Sequence, residues 1–257
     1  MDKEQKILLT GGSGNLGTEM QKFLSINEQN IDVIAPDLKE LDITDLKKCV
    51  IVMDKYNPDI IVHAAAYTDV SGAEKNKKQC WDINVIGTQN IALTSKGRRL
   101  VYISTDYVFD GEKGNYKESD TPNPVNYYAL TKLVGENIIQ QYPKTLIIRT
   151  AFKPNGKWMY EKAFIDQYSS HEFVTDIAPQ IMRAALIMEL EGVIHIAGKR
   201  KRMYDLAKRV SPNVGTMKRS DVSVHIPFDT SLNISKWTKI LKTSSKSKTQ
   251  KKSQQKM

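Results

Sequence analysis

The sequence predicts an α/β protein built on a doubly wound parallel sheet, and two observations carry that expectation. Short apolar runs alternate with helical patterns through residues 1–150, the signature of parallel strands joined by crossover helices. A glycine-rich stretch leaves the first apolar run and opens the first helix. At 257 residues the chain is long enough for one large domain, or a domain with a smaller lobe.

The elements follow in order. "KILLT" (6–10) reads as the first strand, and the helix through "EMQKFLS" follows its glycines. "IDVIA" (31–35) is the second strand, and residues 45–56 form an amphipathic helix with Thr44 as its expected cap. "DIIVHAA" (59–65) is the third strand, set off by Asn57-Pro58. "CWDINVIGTQNIALTSKG" predicts one long helix ending at Gly97. "LVYIST" (100–105) is the fourth strand, "NYYALTKLVGENIIQQY" a helix stopped before Pro143, and "TLIIRT" (145–150) the fifth strand. Right-handed crossovers between such strands build a Rossmann fold. Beyond Thr150, a helix near 176–190, a strand "GVIHIAG" (192–198) and a helix near 203–210 predict a small substrate lobe, residues 151–241, interleaved with the core.

Composition narrows the function classes. The formal net charge is +9, but the last sixteen residues hold six lysines and no acid, and the rest of the chain carries only +3. Residues 242–257 therefore predict a disordered Lys-rich tail, not a nucleic-acid-binding fold. The start is charged and no apolar run approaches the length of a membrane span, so neither a signal peptide nor a membrane segment is expected. Two cysteines, Cys49 and Cys80, fit a reducing cytoplasm. The four histidines are scattered, and "HEFVT" lacks the second histidine of a zincin helix, so no metal site is expected.

The chemistry-bearing motifs come next. "LLTGGSGNLG" contains Gly12-x-Gly14-x-x-Gly17 and equally Gly11-x-x-Gly14-x-x-Gly17. Between a strand and a helix, such spacing serves a tight turn, close approach of a pyrophosphate and tight helix packing. The helix N-terminus beyond it offers unpaired N–H groups to phosphates. Thr18 stands where a phosphate-cradling NTPase loop needs lysine, which excludes a kinase. Asp37, twenty residues past Gly17, fits the acid that takes a dinucleotide's ribose hydroxyls; nearby Lys39 would attract a 2′-phosphate instead, leaving NADH versus NADPH open. Asp42 and Ile43 are placed to border the adenine.

In "NYYALTKLVGE", Tyr128 and Lys132 lie four apart and Tyr127 and Lys132 five apart. On a helix these separations are about 40° and about 140° around the axis, so only Tyr128 shares a face with Lys132. A tyrosine acid beside a lysine suits carbonyl reduction: the ammonium holds the nicotinamide ribose and lowers the phenol's pKa, and the phenol donates a proton as hydride arrives. Ser104-Thr105 ends the fourth strand at the sheet edge where ligands bind, with a hydroxyl for the developing oxyanion.

Together "TGGSGNLG", "ELDITD", "VHAAAYTDV", "ISTDYVFDG", "YALTKLVGE" and "LNISKW" resemble, over roughly residues 6–240, an extended short-chain dehydrogenase/reductase of the dTDP-4-dehydrorhamnose reductase family. The resemblance implies an NAD(P)H-dependent reductase of a 4-keto-6-deoxy nucleotide sugar, with Thr105, Tyr128 and Lys132 as the catalytic set. It places Gly11, Gly14, Asn15, Leu16, Gly17, Ala64, Ala65, Ala66 and Lys132 at the cofactor, and Val70, Asp106 and Tyr107 near the sugar. Phe152 joins the sugar group; Ala151-Phe152 follows Arg149-Thr150 where the family carries a Trp-Tyr pair, and the segment after it is compressed, which leaves the sugar open. The family also implies a homodimer. Two alternatives fit the same motifs. One is a non-catalytic NADP-binding subunit resembling the β subunit of methionine adenosyltransferase. The other is a nucleotide-sugar epimerase or dehydratase. "GKRKR" (198–202) reads as a solvated loop or as a contact for a nucleotide diphosphate.

Overall fold

A computed structural model describes residues 4–28, 30–156, 158–222 and 226–243. The Lys-rich tail beyond residue 243 and His225 lie outside them. The first half contains β1 (Gln5–Thr10), α1 (Asn15–Asn27), β2 (Ile31–Ile34), α2 (Leu46–Tyr56), β3 (Ile60–His63), α3 (Val70–Lys75), α4 (Lys77–Trp81), α5 (Gly87–Ser95), β4 (Arg99–Thr105), α6 (Tyr127–Ile139) and β5 (Thr145–Thr150). Then come β6 (Phe152–Lys153), β7 (Lys162–Phe164), β8 (Tyr168–Ser169), β9 (Glu172–Phe173), α7 (Val174–Ala185), β10 (Gly192–His195), β11 (Lys201–Arg202), α8 (Met203–Lys208) and β12 (Gly215–Met217).

The six-stranded sheet runs β2-β1-β3-β4-β5-β10, with every pairing parallel. Strand residues alternate between two cores because successive side chains point to opposite faces. Ile7 and Leu9 join Val62, Val101 and Ile148 against α1 and α7, whereas Leu8, Ile61 and Leu100 pack with Val52, Met53 and Ile91 of α2 and α5. The chain leaves β1 toward β2 and returns to β3 on the other side, so the switch point lies between the carboxyl ends of β1 and β3. Sheet and core also take β10 and α7 from residues after 150, and Trp237 of the 235–243 helix is buried in the same core, its indole donating to Gln180 Oε1 at 2.9 Å.

Two local expectations are corrected. The cap of α2 is Asp45, not Thr44: the Asp45 carboxylate accepts from the N–H groups of Lys47 and Lys48, while the Thr44 hydroxyl donates to Asp42. The expected long helix is α4 and α5 joined by a π-helical turn, Asp82–Ile86. That wide turn carries Asn84 inward, where its side chain accepts from the Tyr67 N–H (2.8 Å) and donates to Thr131 Oγ1 of α6 (3.0 Å). It stops at Lys96 and Gly97, both at positive φ.

Candidate active site

At the switch point, an open cleft of about 1210 Å³ runs from the glycine loop across the ends of β1, β3, β4 and β5. Gly11 turns the chain at φ 73° and its carbonyl accepts from the Gly14 N–H at 3.1 Å. A Cβ on Gly11 would stand 2.7 Å from the Ala65 amide nitrogen, and one on Gly17 would stand 2.7 Å from Gly12 Cα. The loop is thus glycine because strand, loop and helix backbones nearly touch. No side chain caps α1, and its first turn carries no acid, which leaves its N–H groups open to phosphate oxygens. These features fit a dinucleotide.

Beside the loop, the end of β3 is held by a chain of hydrogen bonds. The Ala65 N–H donates to Thr10 Oγ1 (3.1 Å), Thr10 Oγ1 meets His63 Nδ1 (2.8 Å), and His63 Nε2 meets Thr88 Oγ1 (3.1 Å), whose hydroxyl donates to Asn84 O. Every member is satisfied with a neutral imidazole, and burial lowers the His63 pKa to about 3.

Each residue expected at the site lines this cleft: Gly11, Gly14, Asn15, Leu16, Gly17, Asp37, Asp42, Ile43, Ala64, Ala65 and Ala66 on one side, and Val70, Thr105, Asp106, Tyr107, Tyr128, Lys132 and Phe152 on the other. Asp37 and Asp42 also brace their own turns, accepting from the N–H groups of Glu40 and Thr44. Tyr127 takes no part in the cleft; its ring lies under Lys77 in a satellite cluster.

Helix α6 is fixed by what lies below the reacting face. Tyr128, Lys132 and Glu136 follow at four-residue spacing, and all three are buried. Glu136 accepts Arg149 Nη2 at 2.7 Å and the Ser104 hydroxyl at 2.5 Å. The Ser104 hydroxyl is therefore engaged by Glu136, although both Ser104 and Thr105 line the cleft. Thr105 Oγ1 accepts from the Tyr107 N–H (3.2 Å) and donates to Asp106 Oδ1 (3.2 Å), and Thr230 donates to Asp106 Oδ2 (2.6 Å).

The protonation states correct one expectation. Burial, reinforced by the Asp106 charge, pushes the Tyr128 phenol up rather than down, with the Thr105 hydroxyl acting against it. Burial lowers Lys132 to about 7, against the opposing pull of Glu136 and Cys80, and its amine sits 4.1 Å over the Tyr102 ring. Desolvation of these two buried side chains outweighs the lysine–phenol attraction. Asp106 is pushed up to about 6 by burial, despite bonds from Thr230 and Thr105.

The cleft residues that escaped the sequence reading include Thr150, Lys153 and His171. A lysine three residues past a buried strand, in "RTAFKP", is the local signal for Lys153. The "GKRKR" run is absent from the cleft walls: Arg200 pairs with Asp229, Lys201 with Glu172 and Arg202 with Asp205.

Comparisons with known proteins agree with this geometry. Residues 5–163 match the family described as RmlD substrate binding domain. A dTDP-4-dehydrorhamnose reductase of Aggregatibacter actinomycetemcomitans is 37% identical over 151 residues, 57% of this chain and 51% of that protein, so the match spans about half its length. A dTDP-4-keto-6-deoxy-D-glucose reductase of Streptomyces niveus is 33% identical over 229 residues, 78% of this chain and 76% of that one. Among solved structures, a dTDP-4-dehydrorhamnose reductase of Bacillus anthracis in complex with NADP superposes with a TM-score of 0.81 at 28% identity, covering 89% of this chain and 90% of that one. The chain belongs to the RmlD substrate-binding-domain family, within the extended short-chain dehydrogenases/reductases.

Proposed function

We propose that the chain is an NAD(P)H-dependent reductase of a 4-keto-6-deoxy nucleotide sugar, with Tyr128 as the proton donor. One observation carries this: Thr105, Tyr128 and Lys132 come together on the same cleft as the glycine loop. A bound reduced nicotinamide supplies hydride to the substrate's carbonyl carbon. The Tyr128 hydroxyl gives its proton to the carbonyl oxygen as the C–H bond forms, so the product is an alcohol and the phenolate is reprotonated from solvent. A phenol held protonated by burial arrives at this step loaded. In the free site the Asp106 carboxylate accepts from the Thr105 hydroxyl and so positions it, and the hydroxyl turns its one proton to the substrate oxygen as charge builds there. Gly11, Gly14 and the first turn of α1 hold the dinucleotide's phosphates, Asp37 and Ile43 its adenosine end, and Lys132 its second ribose. Val70, Tyr107 and Phe152 shape the sugar pocket. A homodimer belongs to the same reading, and equilibrium sedimentation tests it.

The decisive assay supplies dTDP- or UDP-4-keto-6-deoxyhexose with NADH or NADPH and follows cofactor absorbance. Oxidation is expected in wild type and not in Tyr128→Phe, which still binds cofactor. Tight cofactor binding without turnover of any nucleotide sugar would favour the non-catalytic subunit instead.

A further inference from the structure

The cleft wall beyond Thr105 and Tyr128 carries polar side chains that proton transfer leaves unused. Thr150 is the register partner of Thr105 across β4 and β5. Its hydroxyl is buried and has no hydrogen-bond partner among the described residues. The next strand, β6, pairs in parallel with β9, Lys153 opposite Phe173. Since His171 lies two residues before Phe173, Lys153 and His171 share a face of this ladder, and both reach the cleft. His171 is anchored from behind: its Nδ1 meets Ser169 Oγ at 2.7 Å and its carbonyl accepts from Lys201 Nζ at 2.7 Å. Its remaining ring nitrogen is Nε2.

Lys153 is the cation of this group. It is half-buried, yet its amine makes no ion pair and no hydrogen bond among the described residues. The opposing charge that acts on it is Asp106, whose two carboxylate oxygens each accept a hydroxyl, from Thr105 and from Thr230. A desolvated ammonium without a partner is costly, and a ligand anion would offset that cost.

We propose that Lys153, with Thr150 and His171, forms a subsite for an anionic oxygen group of the substrate, either a phosphate of the nucleotide diphosphate or a carboxylate on the sugar. The subsite deepens the nucleotide-sugar reading and rests on it. Burial holds the Lys153 amine below its ordinary range, Asp106 acting against this, so an arriving anion also restores its charge.

The test is calorimetric titration of UDP, UDP-glucose and UDP-glucuronate, and of dTDP and dTDP-glucose, into the full chain and its Lys153→Met and Lys153→Arg variants. If the subsite takes phosphate, every ligand loses about tenfold in affinity in Lys153→Met and recovers in Lys153→Arg. If it takes a carboxylate, wild type prefers UDP-glucuronate to UDP-glucose by about tenfold and only that ligand weakens in Lys153→Met. Unchanged affinity for all of them in a folded Lys153→Met variant, or no binding to wild type, overturns the subsite. Should Lys153→Met fail to fold, Thr150→Val serves in its place, with weakened binding expected and unchanged binding again overturning it. The readout is binding, so intact binding without turnover would count against the reductase reading and leave the subsite standing.

Discussion

Glu136 and Arg149 form a buried bidentate ion pair, Oε2 to Nη2 at 2.7 Å, with both side chains nearly inaccessible to solvent. Ser104, the register partner of Arg149, donates to the same carboxylate. This bond network joins β4, β5 and α6, and so sets where Thr105, Tyr128 and Lys132 stand relative to one another. Breaking one side leaves a buried charge uncompensated. Glu136→Gln is expected to cost about 3–5 kcal/mol in urea unfolding, whereas the double variant Glu136→Leu/Arg149→Met costs less than either single change. Additive losses would mean the pair is not coupled.

Tyr128→Phe removes the proton donor while keeping the ring in its apolar surroundings. Turnover is expected to fall by about 10²–10⁴-fold with cofactor affinity retained, read by steady-state kinetics and quenching of intrinsic fluorescence. Tyr127→Phe is expected to leave turnover near wild type. If Tyr127→Phe were the inactivating change, the helical-phase argument would be wrong.

Asp106, with a pKa of about 6, gives the reaction an acid limb. Below that pH the protonated carboxyl no longer accepts well from Thr105, and kcat/KM is expected to decline. Asp106→Asn should flatten the limb. A profile with the same break near pH 6 in both proteins assigns it to another group.

His63 makes stability depend on pH. Its folded pKa of about 3 lies below the unfolded value of 6.5, so the unfolded chain binds more protons between them. Stability from this group is present above pH 6.5 and is lost as pH falls toward 3. His195, lowered to about 3 by burial, acts in the same direction, and Asp106 opposes both between its ordinary value of 3.8 and about 6. The slope is at most about 1.4 kcal/mol per pH unit for each group. Melting temperature measured from pH 7 to pH 4 should drop, and drop less steeply in His63→Asn.

Gly11→Ala strains the loop twice, through a positive φ and through a Cβ 2.7 Å from the Ala65 nitrogen. The left-handed conformation alone costs about 1–2 kcal/mol. NADH and NADPH should both bind at least about tenfold more weakly, with the fold retained by circular dichroism.

The sequence by itself determined the parallel-strand alternation, the place of the glycine loop and which tyrosine shares a face with Lys132. These are local periodicities, written in spacings of two, three and four residues, and the structure brings the residues they single out onto one cleft. Tertiary structure alone decided what depends on burial and on contacts between distant segments. Asp106 meets Thr230 across 124 residues, and the pairing of two short strands, with His171 just before the second, brings Lys153 and His171 to one cleft. The same holds for the π-turn, which answers the need to bring Asn84 to both Tyr67 and Thr131. Charge state followed the same division: four-residue spacing put Lys132 beside Tyr128, but the loss of water around both, which no spacing records, raised the phenol and lowered the amine.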